Sequence, residues 1–369
     1  MRSKKSISLR PVTAALALAG TAALGATAGS AFADSPQASA SPPLQAPPSA
    51  AVARSGRHAS LADMVEAVGP SVVQIDARSE ARAVATPFGY MRQPGREAMG
   101  SGFIVDESGV VLTNNHVVEG ASSVRVKLSD GSIRQARVLG RDEKTDLAVL
   151  RIEGGGSFKP VQWGNSDAVR VGENVFAMGS PFGLGNTVTS GIVSARGREI
   201  GAGPYDDFLQ VDAAINSGNS GGPLFDSSGR VIGVNTAIVS PSGGNVGIGF
   251  AIPSQMARNV ATQIAANGVV SRGHIGVGLQ EMSPTIANAL GLKSTDGALV
   301  ANVESAGTAA VSGLRRGDVV RSFNGKTIEN SRDFAREVAR ARAGTAVPIE
   351  VIRDGRELQL KLRIGKETA

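Results

Sequence analysis

From residue 60 onward the chain alternates short apolar runs with glycine-rich turns. Segments 71–77 (SVVQIDA), 124–128 (VRVKL), 147–152 (LAVLRI), 175–178 and 231–234 are dense in β-branched residues and flanked by turn residues, the pattern of strands. No strand–helix alternation runs through them, which argues against a parallel α/β sheet. The pattern predicts an antiparallel barrel or pair of barrels over 60–268. One helix closes it, with Ser254 as its N-cap before QMARNVATQIAAN and Gly268 as its stop. A second unit of about one hundred residues, a common domain size, covers 269–367. It holds predicted strands near 275–280, 298–303, 318–323, 347–352 and 357–363, and a helix near 331–341 after Asn330-Ser331. Asn324-Gly325 and Asp354-Gly355 are hairpin-turn signals. The unit occurs once.

The first 33 residues follow a different rule. A basic MRSKKSISLR leads into an Ala/Leu/Gly-rich stretch that ends in Ala31-Phe32-Ala33, the small-residue signature of a secretory cleavage site. The rival reading is a retained membrane anchor. The run is long enough, but Ala, Gly and Thr insert less firmly than Leu, Ile and Val. Residues 34–59 read as a linker: 16 of the 24 residues in 34–57 are Pro, Ala or Ser, too little apolar surface to offset ordering entropy.

The leader changes how charge is read. The 369-residue chain carries a formal +6, but the first 33 residues hold four basic and no acidic residues. Without them 34 basic residues face 32 acidic ones, and a nucleic-acid partner loses its electrostatic support. Cysteine is absent, which excludes disulfides, thiolate nucleophiles, zinc–thiolate sites and a lipoprotein anchor. With only His58, His116 and His274 to supply imidazole, no metal centre is expected. No P-loop string occurs among the 47 glycines, and no cofactor is expected.

The sharpest local signal is GNSGGPL at 218–224. Glycines around a serine let several backbone N–H groups converge on one point, as an oxyanion hole requires. A GNSG tetrad alone would be an ordinary turn; the longer string favours a nucleophile, Ser220, with Gly218, Asn219 and Ser220 as oxyanion donors. Its base would be His116, in VLTNNHVV at the end of an apolar strand. Taken singly, such a histidine is more often a satisfied core residue. The orienting acid would be Asp146, which opens DLAVLRI; taken singly it is more often a turn cap. The three together stand in the order His, Asp, Ser with gaps of 30 and 74 residues, the order of the chymotrypsin triad.

With TNNHVV, DLAVLRI and GNSGGPL, and with GSGFIV at 100–105, GSPFGL at 179–184 and GNVGIGFAIP at 244–253, the sequence resembles the HtrA (Do or DegP type) serine endoproteases from about residue 60 onward. The resemblance implies a mainly β fold: a trypsin-like double β-barrel followed by a PDZ domain. It implies a serine endopeptidase that degrades unfolded exported proteins, a homotrimer or trimer-based oligomer, and a periplasmic location. Secretion or membrane anchoring is the alternative, with membrane contact only if the leader is retained. Relatives that cut after Lys or Arg carry an aspartate six residues before the nucleophile; here Ala214 stands there, so cleavage after small aliphatic residues is expected. By the same resemblance Ile215, Thr236, Ala237 and Ile238 border that pocket, or else are ordinary core and strand residues. Ile275, Gly276 and Val277 would bind peptide C-termini by strand addition, or Ile275 and Val277 simply pack in the core. The family's best-known members carry two PDZ domains, and the segment 79–98 is short for a loop that helps hold an inactive hexamer; both departures put a large resting cage in doubt. A holdase chaperone or peptide sensor with a latent protease site is the second functional reading.

Overall fold

The computed structural model describes residues 60–86, 89–93, 95–180, 187–240 and 244–366. The leader, the linker, His58, Pro87, Pro94 and most of the GSPFGL segment lie outside the described residues.

The described chain opens on α1 (Leu61–Val68), closed at its start by a capping box between Ser60 and Asp63. Eight strands follow: β1 (Val72–Arg78), β2 (Arg82–Thr86), β3 (Gly89–Gln93), β4 (Glu97–Asp106), β5 (Val110–Asn114), β6 (Ser123–Lys127), β7 (Ile133–Asp142) and β8 (Leu147–Ile152), with a single-turn helix, α2 (Asn115–Val118), after β5. All but β2 and β3 close into a barrel in the order β1-β4-β5-β8-β7-β6. β2 and β3 form a separate hairpin in a stretch expected only to be short.

A second closed barrel runs β10-β11-β14-β13-β12-β9, from β9 (Asn174–Gly179), β10 (Thr187–Arg198), β11 (Phe208–Val211), β12 (Pro223–Asp226), β13 (Val231–Ile238) and β14 (Gly249–Pro253). The continuous apolar runs make sense here. In LAVLRI five of the six residues are buried, because one face of β8 fills its own barrel while Leu147 and Val149 pack with Phe176, Phe225 and Phe250 of the second.

α3 (Ser254–Asn267) packs across this shared core through Ala257, Val260, Ala261 and Ile264. Gly268 ends it at φ 76°, as the sequence predicts. The N-cap is Pro253, not Ser254. The Ser254 hydroxyl instead donates to Gly164 O (2.9 Å) and accepts from Ser166 N (3.2 Å), so long-range loop contacts outcompete the local cap.

The C-terminal unit is a six-stranded sheet built on β16-β17-β18-β20-β21, with β19 paired to β18. Its elements are β15 (Gly273–His274), β16 (Val277–Gln280), α4 (Pro284–Ala289), β17 (Ala298–Val303), α5 (Thr308–Val311), β18 (Val319–Phe323), β19 (Lys326–Thr327), α6 (Ser331–Arg340), β20 (Ala346–Arg353), β21 (Arg356–Arg363) and β22 (Gly365–Lys366). Asn330 caps α6 by accepting from Asp333 N (2.8 Å). Asn324-Gly325 and Asp354-Gly355 turn at positive φ in both residues, as type I′ hairpins require. The fold is therefore a trypsin-like double barrel followed by a PDZ domain. Arg272, beside the junction, forms a bidentate ion pair with Asp142, and both side chains are buried.

Candidate active site

The barrels bring His116, Asp146 and the 218–222 loop together. His116 is the second residue of α2, between buried Asn115 on one side and buried Val117 and Val118 on the other. Anchoring those neighbours turns the imidazole outward, with 46% of its side chain exposed. Asp146 follows the 3-10 turn Glu143–Thr145 and has a left-handed backbone, φ 53° and ψ 43°, a conformation aspartate tolerates better than most residues. The turn aims its carboxylate back at α2. Oδ2 lies 2.7 Å from His116 Nδ1, and Oδ1 accepts the His116 backbone N–H at 3.0 Å. Asn115 N and Asn114 Nδ2 both donate to Asp146 O, at 3.0 and 2.8 Å.

Thr236 Oγ1 also donates to Asp146 Oδ2, at 2.8 Å. Sequence reasoning placed Thr236 at the specificity pocket. Its hydroxyl also bonds the Asp146 carboxylate, and nothing in the local sequence of β13 signals a contact across 90 positions. Burial pushes the Asp146 carboxyl up, but the hydrogen bonds and charge of His116, with Thr236, outweigh it and hold it below the usual carboxylate range. An ionised carboxylate can only accept, so Nδ1 carries the proton and Nε2 is left as the basic nitrogen.

Ser220 lies between two glycines with left-handed backbones, Gly218 at φ 99° and Gly221 at φ 82°. At Gly221 a Cβ would collide with Ser101 O and Thr113 Oγ1, so only glycine fits. The Ser220 hydroxyl points to Thr236 O at 3.5 Å and makes no hydrogen bond with His116; such bonds tighten when substrate arrives. The N–H groups of Gly218 and Ser220 donate to nothing among the described residues. Asn219 departs from expectation as an oxyanion donor. Its N–H is spent on Asn216 O at 3.0 Å, because the turn that exposes its neighbours closes on itself at that residue.

Ile215 is buried in the second barrel's core with Val211 and Ala213, and Ile238 packs on the same cluster. Thr236 and Ala237 line a cavity of about 370 Å³ together with His116 and Asp146. Ala214, six positions before Ser220, places no carboxylate there.

In the C-terminal unit, Ile275 belongs to the core and Val277 packs against it. Among the described residues β16 pairs with β17 alone and so presents an open edge. The N–H groups of Ile275 and Gly276 find no acceptor among the described residues, and Gly276 has φ 72°. A cavity of about 150 Å³ runs between this segment and Phe334 and Val338 of α6.

Family comparison follows this division. Residues 100–234 match the trypsin-like peptidase domain and residues 273–364 match the PDZ domain. The structure of the HtrA-type protease AlgW with a tripeptide is 40% identical and superposes with a TM-score of 0.73, covering 84% of this chain and 98% of that one. The chain belongs to the HtrA family. A serine endoprotease structure from Yersinia pestis is 32% identical with a TM-score of 0.59, over 83% of this chain and 97% of that one. Among curated sequences, the probable periplasmic serine endoprotease DegP-like of Rhizobium meliloti (strain 1021) is 49% identical over 73% of this chain and 53% of its own length. The protein of the same name from Brucella suis biovar 1 (strain 1330) is 51% identical over 74% and 54%. This HtrA chain thus spans about half the length of the curated relatives it matches.

Proposed function

We propose that this HtrA chain is an exported serine endopeptidase for unfolded proteins. The observation that carries the reading is the His116–Asp146 pair set beside a serine loop with two unengaged N–H groups. Ser220 Oγ attacks the peptide carbonyl, and His116 Nε2 takes its proton and delivers it to the leaving amine. Asp146 holds the tautomer and stabilises the imidazolium. The N–H groups of Gly218 and Ser220 receive the oxyanion.

Specificity follows from what the pocket lacks. A basic side chain beside Ala214 would be desolvated with no counter-charge, so small aliphatic residues such as Val and Ala precede the cut. Ala237 and Ile238 supply apolar surface near the site, Ile238 packing on the core cluster that buries Ile215. The C-terminal unit takes peptide C-termini: the carboxylate on the N–H groups of Ile275 and Gly276, the backbone on the edge of β16 beside Val277.

The domain limits are residues 60–268 for the peptidase and 269–367 for the PDZ domain, after a leader of 33 residues. A periplasmic location is supported by the names of the relatives, and no helix among the described residues is long and apolar enough to cross a membrane. A trimer-based assembly accompanies the family. Incubating the full chain with a chemically unfolded protein and mapping the cuts by mass spectrometry tests this function. Cuts after Val or Ala that vanish in Ser220→Ala support it; cuts that persist in Ser220→Ala refute it.

A further inference from the structure

One buried hydroxyl stands behind the oxyanion loop and has no part in the triad. Ser101, in β4 of the first barrel, is fully buried. Its Oγ donates to Gly218 O at 2.6 Å and accepts from Ser180 N at 2.8 Å. Its backbone N–H donates to Ser220 O at 2.8 Å. Its own carbonyl is fixed by Thr113 Oγ1 at 2.7 Å. A single residue of the first barrel thereby holds the carbonyls of Gly218 and Ser220, the two residues proposed above as oxyanion donors.

The surrounding glycines are shaped to this contact. A Cβ at Gly179 would sit 2.9 Å from Ser101 Oγ, and one at Gly222 would sit 3.1 Å from Ser101 Cβ. A Cβ at Gly221 would strike Ser101 O. The backbone closes on Ser101 from three sides, and the loop meets the first barrel through it.

We propose that Ser101 is the positioning residue of the oxyanion hole, an assignment that rests on the serine-peptidase reading above. Gly218 has φ 99° and no side chain to restrict it, so the peptide units beside it turn easily. The Ser101 O–H fixes the Gly218–Asn219 peptide unit and its backbone N–H fixes the Ser220–Gly221 unit, so the adjoining peptide units, which carry the unengaged N–H groups of Gly218 and Ser220, are held by fixed neighbours. The site also demands a group that donates and accepts at once, since a carbonyl lies on one side of Oγ and an N–H on the other. A hydroxyl does this and a methyl cannot. Without it the Gly218 carbonyl and the Ser180 N–H are left unpaired, and the Gly218–Asn219 peptide unit is released to rotate toward another donor.

The test compares the full chain with Ser101→Ala and Ser101→Cys. The substrate is a fluorogenic peptide built on a mapped cut site, and a boronate of the same sequence mimics the tetrahedral intermediate. Ser101→Ala lowers kcat by about 10- to 100-fold, below the cost of deleting a donor outright, with KM within about twofold because ground-state binding does not use the hole. The boronate inhibition constant rises in step. Ser101→Cys, a weaker donor and acceptor, falls between, and it carries the test on the same criteria if the alanine variant does not fold. A reduced folded fraction would lower apparent kcat without moving the boronate constant. Loss of kcat with an unchanged boronate constant, or neither changing in folded protein, overturns the assignment. A wild-type chain that neither cleaves the peptide nor takes the boronate overturns the peptidase reading, and this assignment with it.

Discussion

The Arg272–Asp142 pair offers a quantitative test of how the turn carrying Asp146 is held. Arg272 Nη1 lies 2.9 Å from Asp142 Oδ1, and Nη2 closes the bidentate contact on Oδ2. The two side chains are only 9% and 7% exposed. The guanidinium also lies over the Tyr205 ring, 4.8 Å from its centroid, and Thr145 donates to the same carboxylate. Replacing Arg272 by Met leaves a buried carboxylate without its cation. Breaking such a pair costs about 3–5 kcal/mol, whereas replacing both partners by apolar residues of similar volume is close to neutral. Arg272→Met should therefore destabilise the peptidase domain by about 3 kcal/mol or more. At about 2–4 °C per kcal/mol for a domain of this size, the melting temperature should fall visibly. Asp142→Leu combined with Arg272→Met should recover most of the loss. The residual is the Thr145 hydroxyl, which has lost its acceptor at a cost of about 1 kcal/mol. The assay is urea unfolding followed by Trp163, the chain's one tryptophan, which packs edge-on against Phe103 in the first barrel and so reports the right domain. A single variant within about 1 kcal/mol of wild type, or a double variant as unstable as Arg272→Met, would refute the reasoning.

Three further outcomes follow from the site. Asp146→Asn should keep the fold but lower kcat by about 10⁴-fold, as loss of the tautomer does in the serine triad; steady-state kinetics on a mapped peptide checks it, and a loss under tenfold counts against the triad. Because the folded carboxyl of Asp146 is held below its unfolded value, its contribution to stability is full at pH values above the usual carboxylate range and is lost as pH falls through its lowered value. Urea titrations across acidic pH should show that loss shrink in Asp146→Asn. Gly276→Val places a side chain where a Cβ meets Glu304 Oε2 at 2.8 Å and Gly307 Cα at 3.0 Å, at φ 72°. It should weaken binding of a C-terminal peptide at least tenfold by fluorescence polarisation, and unchanged affinity would remove this segment from the groove.

Much of the fold could be read directly because runs buried on both faces announce themselves. LAVLRI is such a run, and β8 occupies the six residues expected of it. Turn chemistry was equally plain at Asn324-Gly325 and Asp354-Gly355, where local backbone preference and tertiary demand agree. Ser254 shows the limit: its sequence context is that of a cap, yet partners at Gly164 and Ser166 claim the hydroxyl. The proposed triad stood out by motif and order, and the folded chain places two of its members, His116 and Asp146, in hydrogen-bond contact. What surrounds them was not. Thr236 reaches Asp146 from the other barrel, Ser101 reaches Gly218 across 117 positions, and Asn219 spends its N–H within its own turn. The first two contacts depend on how two closed barrels meet, a long-range property that no local pattern encodes.

The most direct measurement of the central claim is cleavage of a chemically unfolded protein by the purified full chain, with Ser220→Ala alongside and every cut site mapped by mass spectrometry. The account predicts cuts after Val, Ala and similar residues that disappear completely in Ser220→Ala. Cuts that survive the substitution, or that fall after Lys and Arg, would contradict it.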